Sequence, residues 1–169
     1  MGKRLDNADK NKRQYWYLAI ECIAFLITDF GRNMNQQDAI RLVESYYAAF
    51  NGGDMDTFLN LLTDDVIHDI NQGKREIGKE AFTQFMACMN FNYKEQLVDM
   101  FIMATLDGSR ASAEFVVLGE YIKSDEGLPA ANGQKYRLPA GAFFEIRDNK
   151  VARITNYYNL QDWIAQVSH

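Results

Sequence analysis

The stretch Asp64-Asp65-Val66-Ile67-His68-Asp69-Ile70-Asn71, continuing through Gln72-Gly73-Lys74-Arg75-Glu76-Ile77-Gly78, places a histidine beside a carboxylate on a short apolar strand. Successive strand side chains point to opposite faces, so His68 and Asp69 cannot both look into one core. Val66 and Ile70 share the parity of His68 and predict an inward imidazole. On that register Asp69 faces outward, capping the loop or pairing with Lys74 or Arg75; a one-residue slip exchanges the two and makes Asp69 the inward group, and the sequence leaves both registers open. Amphipathic segments lie on either side of this strand, so it is expected to wall a closed core in which a polar group needs a reason to be present.

Working outward, Asn35 is a plausible helix cap with Asp38 in the first turn. Ala39, Val43, Tyr46, Tyr47 and Phe50 then recur at helical spacing. Asn51-Gly52-Gly53 stops that helix and Asp54 caps a second, in which Met55, Phe58, Leu59 and Leu62 repeat at 0, 3, 4 and 7. The strand at 66–71 and a polar loop to Gly78 follow. A third helix carries Phe82, Phe85, Met86 and Met89 on one stripe and ends near Asn90.

The texture then changes to long strands. Residues 93–106 turn at Asp107-Gly108 into 110–122, which reads as a hairpin. A loop over 123–133 leads to a strand at 134–146, where Pro139 implies an edge or a bulge. Asp148-Asn149 turns into a strand at 151–158, and 160–167 forms a short terminal helix. Three helices around an early strand, then a four-strand antiparallel meander, predict an α+β domain. Its long strands must twist, and a curled sheet closed by helices leaves a cone-shaped cavity.

The chain has 169 residues, is 47% apolar and 24% charged, and carries a net charge of −5. That balance argues against general nucleic-acid binding, which needs basic residues to displace phosphate counterions. Cys22 and Cys88 lack metal-ligand spacing and are expected to be reduced core thiols in a cytoplasmic protein. Residues 1–14 are polar and 15–30 almost unbroken apolar, but Glu21 interrupts the run and it falls short of a ~20-residue membrane span. Residues 1–33 therefore read as an N-terminal extension: an accessory helix packed on an apolar surface, or upstream sequence with Met34 as the natural start. No membrane association is expected, and residues 34–169 make the domain.

Three motifs carry a family resemblance: Tyr46-Tyr47-Ala48-Ala49-Phe50-Asn51-Gly52-Gly53-Asp54, Asp64-Asp65-Val66, and the run from Gly141 to Val151. With the tail Ile154-Thr155-Asn156-Tyr157-Tyr158-Asn159-Leu160-Gln161-Asp162-Trp163, they resemble the NTF2-like superfamily, and within it SnoaL-like and ketosteroid-isomerase-related proteins. The resemblance implies an NTF2-like cone, a curved and mostly antiparallel sheet wrapped on three helices. It places Tyr46 on the family's tyrosine. Aligned back from Gly78, Asp69 falls on the base in the case of ketosteroid isomerase; aligned forward from Asp64, Ile70 does, with His68 one step inward. The second acid of that case falls on Ala142, which cannot donate a proton, so authentic steroid isomerisation is not expected.

The resulting candidates are His68, Asp69 and Tyr46 for catalysis. Asn156, Tyr158, Asn71, Arg75, Tyr47 and Phe144 are candidates for substrate contact. If Ile154 faces the core, Asn156 and Tyr158 do too, and Asn71 and Arg75 lie at the mouth. No metal ligands are grouped and no cofactor is implied. The expected ligand is a small apolar or carbonyl-containing molecule, and the expected chemistry is proton abstraction next to a carbonyl, as in an isomerase or cyclase. The alternative is a non-catalytic binding or dimerisation module, which a pocket well under ~300 Å³ would favour. A homodimer through the open sheet face is expected, because Val116, Leu118 and Tyr157 are otherwise exposed.

Overall fold

Asn35 caps the first helix reciprocally. Its side chain accepts from the backbone N–H groups of Gln37 and Asp38 at 2.9 and 3.1 Å, while the Asp38 carboxylate accepts from the Asn35 N–H. Such a capping box satisfies donors that the first helical turn leaves without partners. The computed structural model describes residues 34–71 and 73–168. The extension at 1–33, Cys22 within it, and His169 lie outside the described residues.

Helix α1 (Gln36–Gly52) ends at Gly53, whose φ of 66° is the left-handed turn a helix C-terminus favours. Asp54 caps α2 (Met55–Asn60) by accepting from Thr57 N–H at 3.0 Å. Strand β1 (Leu62–Asp69) begins four residues before its expected start. Asp64 and Asp65 are therefore strand residues rather than turn residues, held on the solvent side by Lys79 at 2.9 Å and by Arg147. A three-residue strand β2 (Arg75–Ile77) forms within the expected loop, too short to leave an alternation signal. Helix α3 (Lys79–Asn92) buries Phe82 and Met86, with Phe85 and Met89 half-buried beside them. Cys88 falls on the opposite side of α3 and is exposed, correcting the expectation of a core thiol.

The long strands β3 (Tyr93–Ala104), β4 (Arg110–Tyr121), β5 (Gln134–Arg147) and β6 (Lys150–Tyr158) form the meander, and α4 (Leu160–Val167) closes the described chain. The sheet order is β2-β1-β6-β5-β4-β3. Every pairing is antiparallel except β1 with β6, which is parallel. This is the curved α+β fold of NTF2-like proteins. β5 is interior to the sheet, but its pairing with β6 starts at Ala140. Pro139 therefore sits where one side of β5 has no ladder partner, which a residue without an N–H tolerates.

Two local features fit the sheet to the helices. The hairpin tip at Gly108, φ 68°, tucks beneath α1, where a Cβ would approach the Asn35 carbonyl oxygen to 2.7 Å. Between Val98 and Phe101 the β3 register shifts, with Asp99 at φ 54°. A bulge of this kind bends its strand and changes side-chain parity. Tyr93, Glu95 and Leu97 look inward before it. After it Met100, Ile102 and Ala104 pack against the core, while Phe101 and Met103 are exposed.

Just before the bulge, Asn51 at the end of α1 clasps β3. Its Nδ2 donates to the Leu97 carbonyl at 2.8 Å, and its Oδ1 accepts from Leu97 N–H at 2.9 Å. This clasp fixes the helix against the strand that curls away from it. Asn51→Ala is expected to cost about 2 kcal/mol, from two hydrogen bonds of ~1 kcal/mol each. A lower urea midpoint at unchanged m-value checks this.

Candidate functional site

The curl leaves a cavity of about 360 Å³ between the helices and the concave face of the sheet. That volume lies within the ~300–1,000 Å³ range of small-molecule sites. Its walls are largely aromatic, built from Phe58 and Phe82 on the helices, Phe115 on β4 and Trp163 on α4. Among the described residues no Lys or Arg lines it, and the acidic residues on its wall are Glu95 and Asp125.

His68 stands on the inner face of β1 with 2% of its surface exposed. Its ring is edge-on to Phe85 at 4.5 Å and to Phe82 at 5.0 Å between centroids. Burial lowers its pKa to about 4, against a smaller opposing effect from the adjacent Asp69 charge. At neutral pH the ring is therefore uncharged, with one N–H and one lone pair, and its buried Nδ1 has no hydrogen-bond partner.

The two adjacent tyrosines of α1 both line the cavity. They meet edge-on at 5.1 Å, and Tyr46 packs on Phe58 at 4.4 Å. Desolvation raises both phenol pKa values, so each hydroxyl is a proton-bearing donor. The Tyr47 hydroxyl is buried without a partner. Asn156 and Tyr158 reach the cavity from β6, the parity expected from the fully buried Ile154. Asn71 borders it too, donating to the Tyr158 carbonyl at 3.2 Å.

Three expected site residues lie elsewhere. Asp69 is on the outer face, where Arg75 grips it through two bonds of 2.5 and 3.0 Å and Thr155 donates at 3.3 Å. The Arg75 guanidinium holds its carboxyl below the usual carboxylate range. Strand parity is the reason: with Val66 and His68 inward, Asp69 must point away. Arg75 is committed to this pair and does not reach the mouth of the cavity. Phe144 is 1% exposed, but it lies behind the two tyrosines, edge-on to Tyr46 at 5.7 Å and to Tyr47 at 6.0 Å. Their rings separate it from the cavity.

A further polar group had not been expected. Glu95 on β3 lines the cavity and accepts from the Tyr136 hydroxyl at 2.5 Å. Burial raises its carboxyl pKa, partly offset by the Tyr136 bond. The available signal was Tyr93-x-Glu95-x-Leu97, a carboxylate with the parity of two core residues. Among the described residues, no group of three or more His, Cys, Asp or Glu side chains is placed to hold a metal ion.

The SnoaL-like domain family matches residues 43–154. The chain belongs to the SnoaL-like domain family. Among solved structures it is similar to a candidate polyketide cyclase from Pseudomonas putida KT2440, 62% identical over 76% of this chain and 97% of that one, with a TM-score of 0.75. A candidate polyketide cyclase from Xanthomonas campestris pv. campestris is 57% identical over 80% and 100% of the two chains, TM-score 0.77. An NTF2-like protein of unknown function from Burkholderia pseudomallei K96243 shares the fold at 14% identity, TM-score 0.66, over 78% and 98%. No curated protein matches the chain. None of the described helices in this SnoaL-like domain is long and apolar enough to cross a membrane.

His68 links the SnoaL-like cavity to stability. Its folded pKa, about 4, lies below the ordinary 6.5, so between these values the unfolded chain binds more protons. Its contribution is therefore full above pH 6.5 and is lost as pH falls toward 4. It amounts to about 3 kcal/mol in total. A smaller fall in urea stability from pH 7 to pH 4.5 for His68→Gln than for the wild type checks this.

Proposed function

We propose that this SnoaL-like protein binds a small, largely apolar carbonyl compound and removes a proton from the carbon next to the carbonyl, as an isomerase or cyclase without a cofactor. The observation that carries the reading is the uncharged His68 imidazole, set in a ligand-sized aromatic cavity with Nδ1 unpartnered. A neutral imidazole has a lone pair ready for general-base work. Tyr46 and Asn156 are the donors assigned to the developing enolate oxygen. Hydrogen bonds to an oxygen that gains charge during the step favour the transition state over the bound substrate. Asn71 and Tyr158 border the substrate, while Asp69 has no part in the reaction. The similarity to candidate polyketide cyclases supports a carbonyl-bearing substrate.

The test is deuterium uptake at the α-methylene of 1-tetralone in D2O, followed by proton NMR. The wild type is expected to accelerate exchange, and His68→Gln to lose about 10²–10⁴ of that acceleration, the usual share of general-base catalysis. Binding without exchange in the wild type would favour a passive binding module instead.

The partner is proposed to be a second copy of the chain. On the convex face of the sheet, Phe101, Phe143, Tyr157 and Leu118 are 63%, 56%, 52% and 40% exposed, an apolar patch spanning four strands. Light scattering at micromolar concentration should give twice the chain mass, and Phe143→Glu should shift it to the monomer.

A further inference from the structure

The general-base reading leaves the far side of the cavity unexplained. Glu95 lies on β3 and His68 on β1, separated in the sheet by β6, β5 and β4. The curl nevertheless brings both into the lining of one cavity. A carboxyl on an apolar inner face is costly to bury unless something fixes it there.

Several residues do fix it. On adjacent strands Glu95 pairs with Gly119, and Gly119 with Tyr136. The Tyr136 ring lies across Gly119 so closely that a Cβ there would sit 2.0 Å from the ring. That missing side chain gives the phenol its path to Glu95, where the hydroxyl donates to Oε1. Trp163 from α4 backs Tyr136 edge-on at 5.9 Å. One carboxyl oxygen is thus occupied, and among the described residues Oε2 has no hydrogen-bond partner.

The titratable groups facing Glu95 are Tyr136 from β5, Tyr158 from β6 and Tyr93 from its own strand. Tyr46 and Tyr47 from α1 and His68 from β1 line the same cavity. Asp125, in the loop after β4, accepts from the Tyr93 hydroxyl at 3.4 Å. None of these is a cation at neutral pH. Burial favours a carboxyl that keeps its proton and outweighs the opposing Tyr136 bond, in keeping with its raised pKa.

We propose that Glu95, held by Tyr136 across the Gly119 gap, is a second acid–base group of the cavity that donates its proton to an oxygen of the bound ligand. This rests on the carbonyl reading above and deepens it. The imidazole takes the α-proton as the C–H bond breaks, and that electron pair forms the C=C bond. The carbonyl π pair moves onto oxygen, which takes the Glu95 proton. The products are a neutral enol, an imidazolium and a carboxylate, with no co-reactant. The ligand class narrows to neutral molecules with a hydrogen-bond-accepting oxygen at one end and an acidic C–H toward the other. A base as weak as this imidazole needs such a donor, because an unprotonated enolate would return its proton at once.

The experiment measures 1-tetralone affinity by ligand-observed NMR at pH 5.0 and pH 8.5 for the wild type and Glu95→Gln. Wild-type affinity should fall about tenfold as the carboxyl ionises, whereas Glu95→Gln, which keeps a donor but cannot titrate, should stay within twofold across the range. Gly119→Ala, which displaces the Tyr136 ring, should shift the wild-type profile. Parallel profiles for wild type and Glu95→Gln, or no binding at either pH, would overturn the proposal. So would tighter binding of 1-aminotetralin than of 1-tetralone to the wild type at pH 8.5, lost in Glu95→Gln, because that marks an ionised carboxylate serving a cation. Failure of the general-base reading looks different: affinity keeps its pH profile while α-proton exchange is absent.

Discussion

The site depends on taking one imidazole out of water. His68 is wedged edge-on between Phe82 and Phe85, and its protonated form loses solvation that no nearby acceptor replaces. Asp69, one residue away, compensates only in part, since it is paired with Arg75 across the outer face. A buried polar group without a partner is a standing cost of ~1–3 kcal/mol. The fold bears it because the surrounding aromatic rings hold β1 rigidly to α3.

The hollow that makes this arrangement useful comes from the shape of the sheet. The bulge between Val98 and Phe101 bends β3 while Asn51 pins the residue before the bend to α1. At the other end α4 is anchored to β5, with Gln166 bonded to both the N–H and the carbonyl of Arg137. The inner face therefore carries tyrosines, a histidine and a glutamate around empty space. On the convex face Arg75, Asp69, Arg153, Glu145 and Arg110 form a chain of ion pairs. That chain runs across the sheet from β2 to β4 and adds little stability, since exposed pairs are worth little individually.

Gly119 shows how a residue without chemistry sets the chemistry of its neighbours. A side chain there would evict the Tyr136 ring, and Glu95 would lose its only donor among the described residues. Such a carboxyl would hold its proton more tightly or turn toward solvent, because the Tyr136 bond is what favours its ionised form. The polarity of the inner wall is thus written in a gap as much as in functional groups.

By itself the sequence determined the elements that local chemistry controls. These are the Asn35 and Asp54 caps, the amphipathic stripes, the Asp107-Gly108 and Asp148-Asn149 turns, and the parity that Asn156 and Tyr158 share with Ile154. All arise from interactions within a few residues of chain, so composition and spacing record them. Tertiary structure alone decided the rest. The bulge at Asp99 reverses parity without any glycine to announce it, and β2 is a strand only because β1 is beside it. The parallel β1–β6 pairing, the capture of Asp69 by Arg75, the withdrawal of Phe144 behind two tyrosines and the bond from Tyr136 to Glu95 join residues far apart in the chain. Those contacts depend on how the sheet closes, and no local pattern records a closure that distant side chains negotiate together.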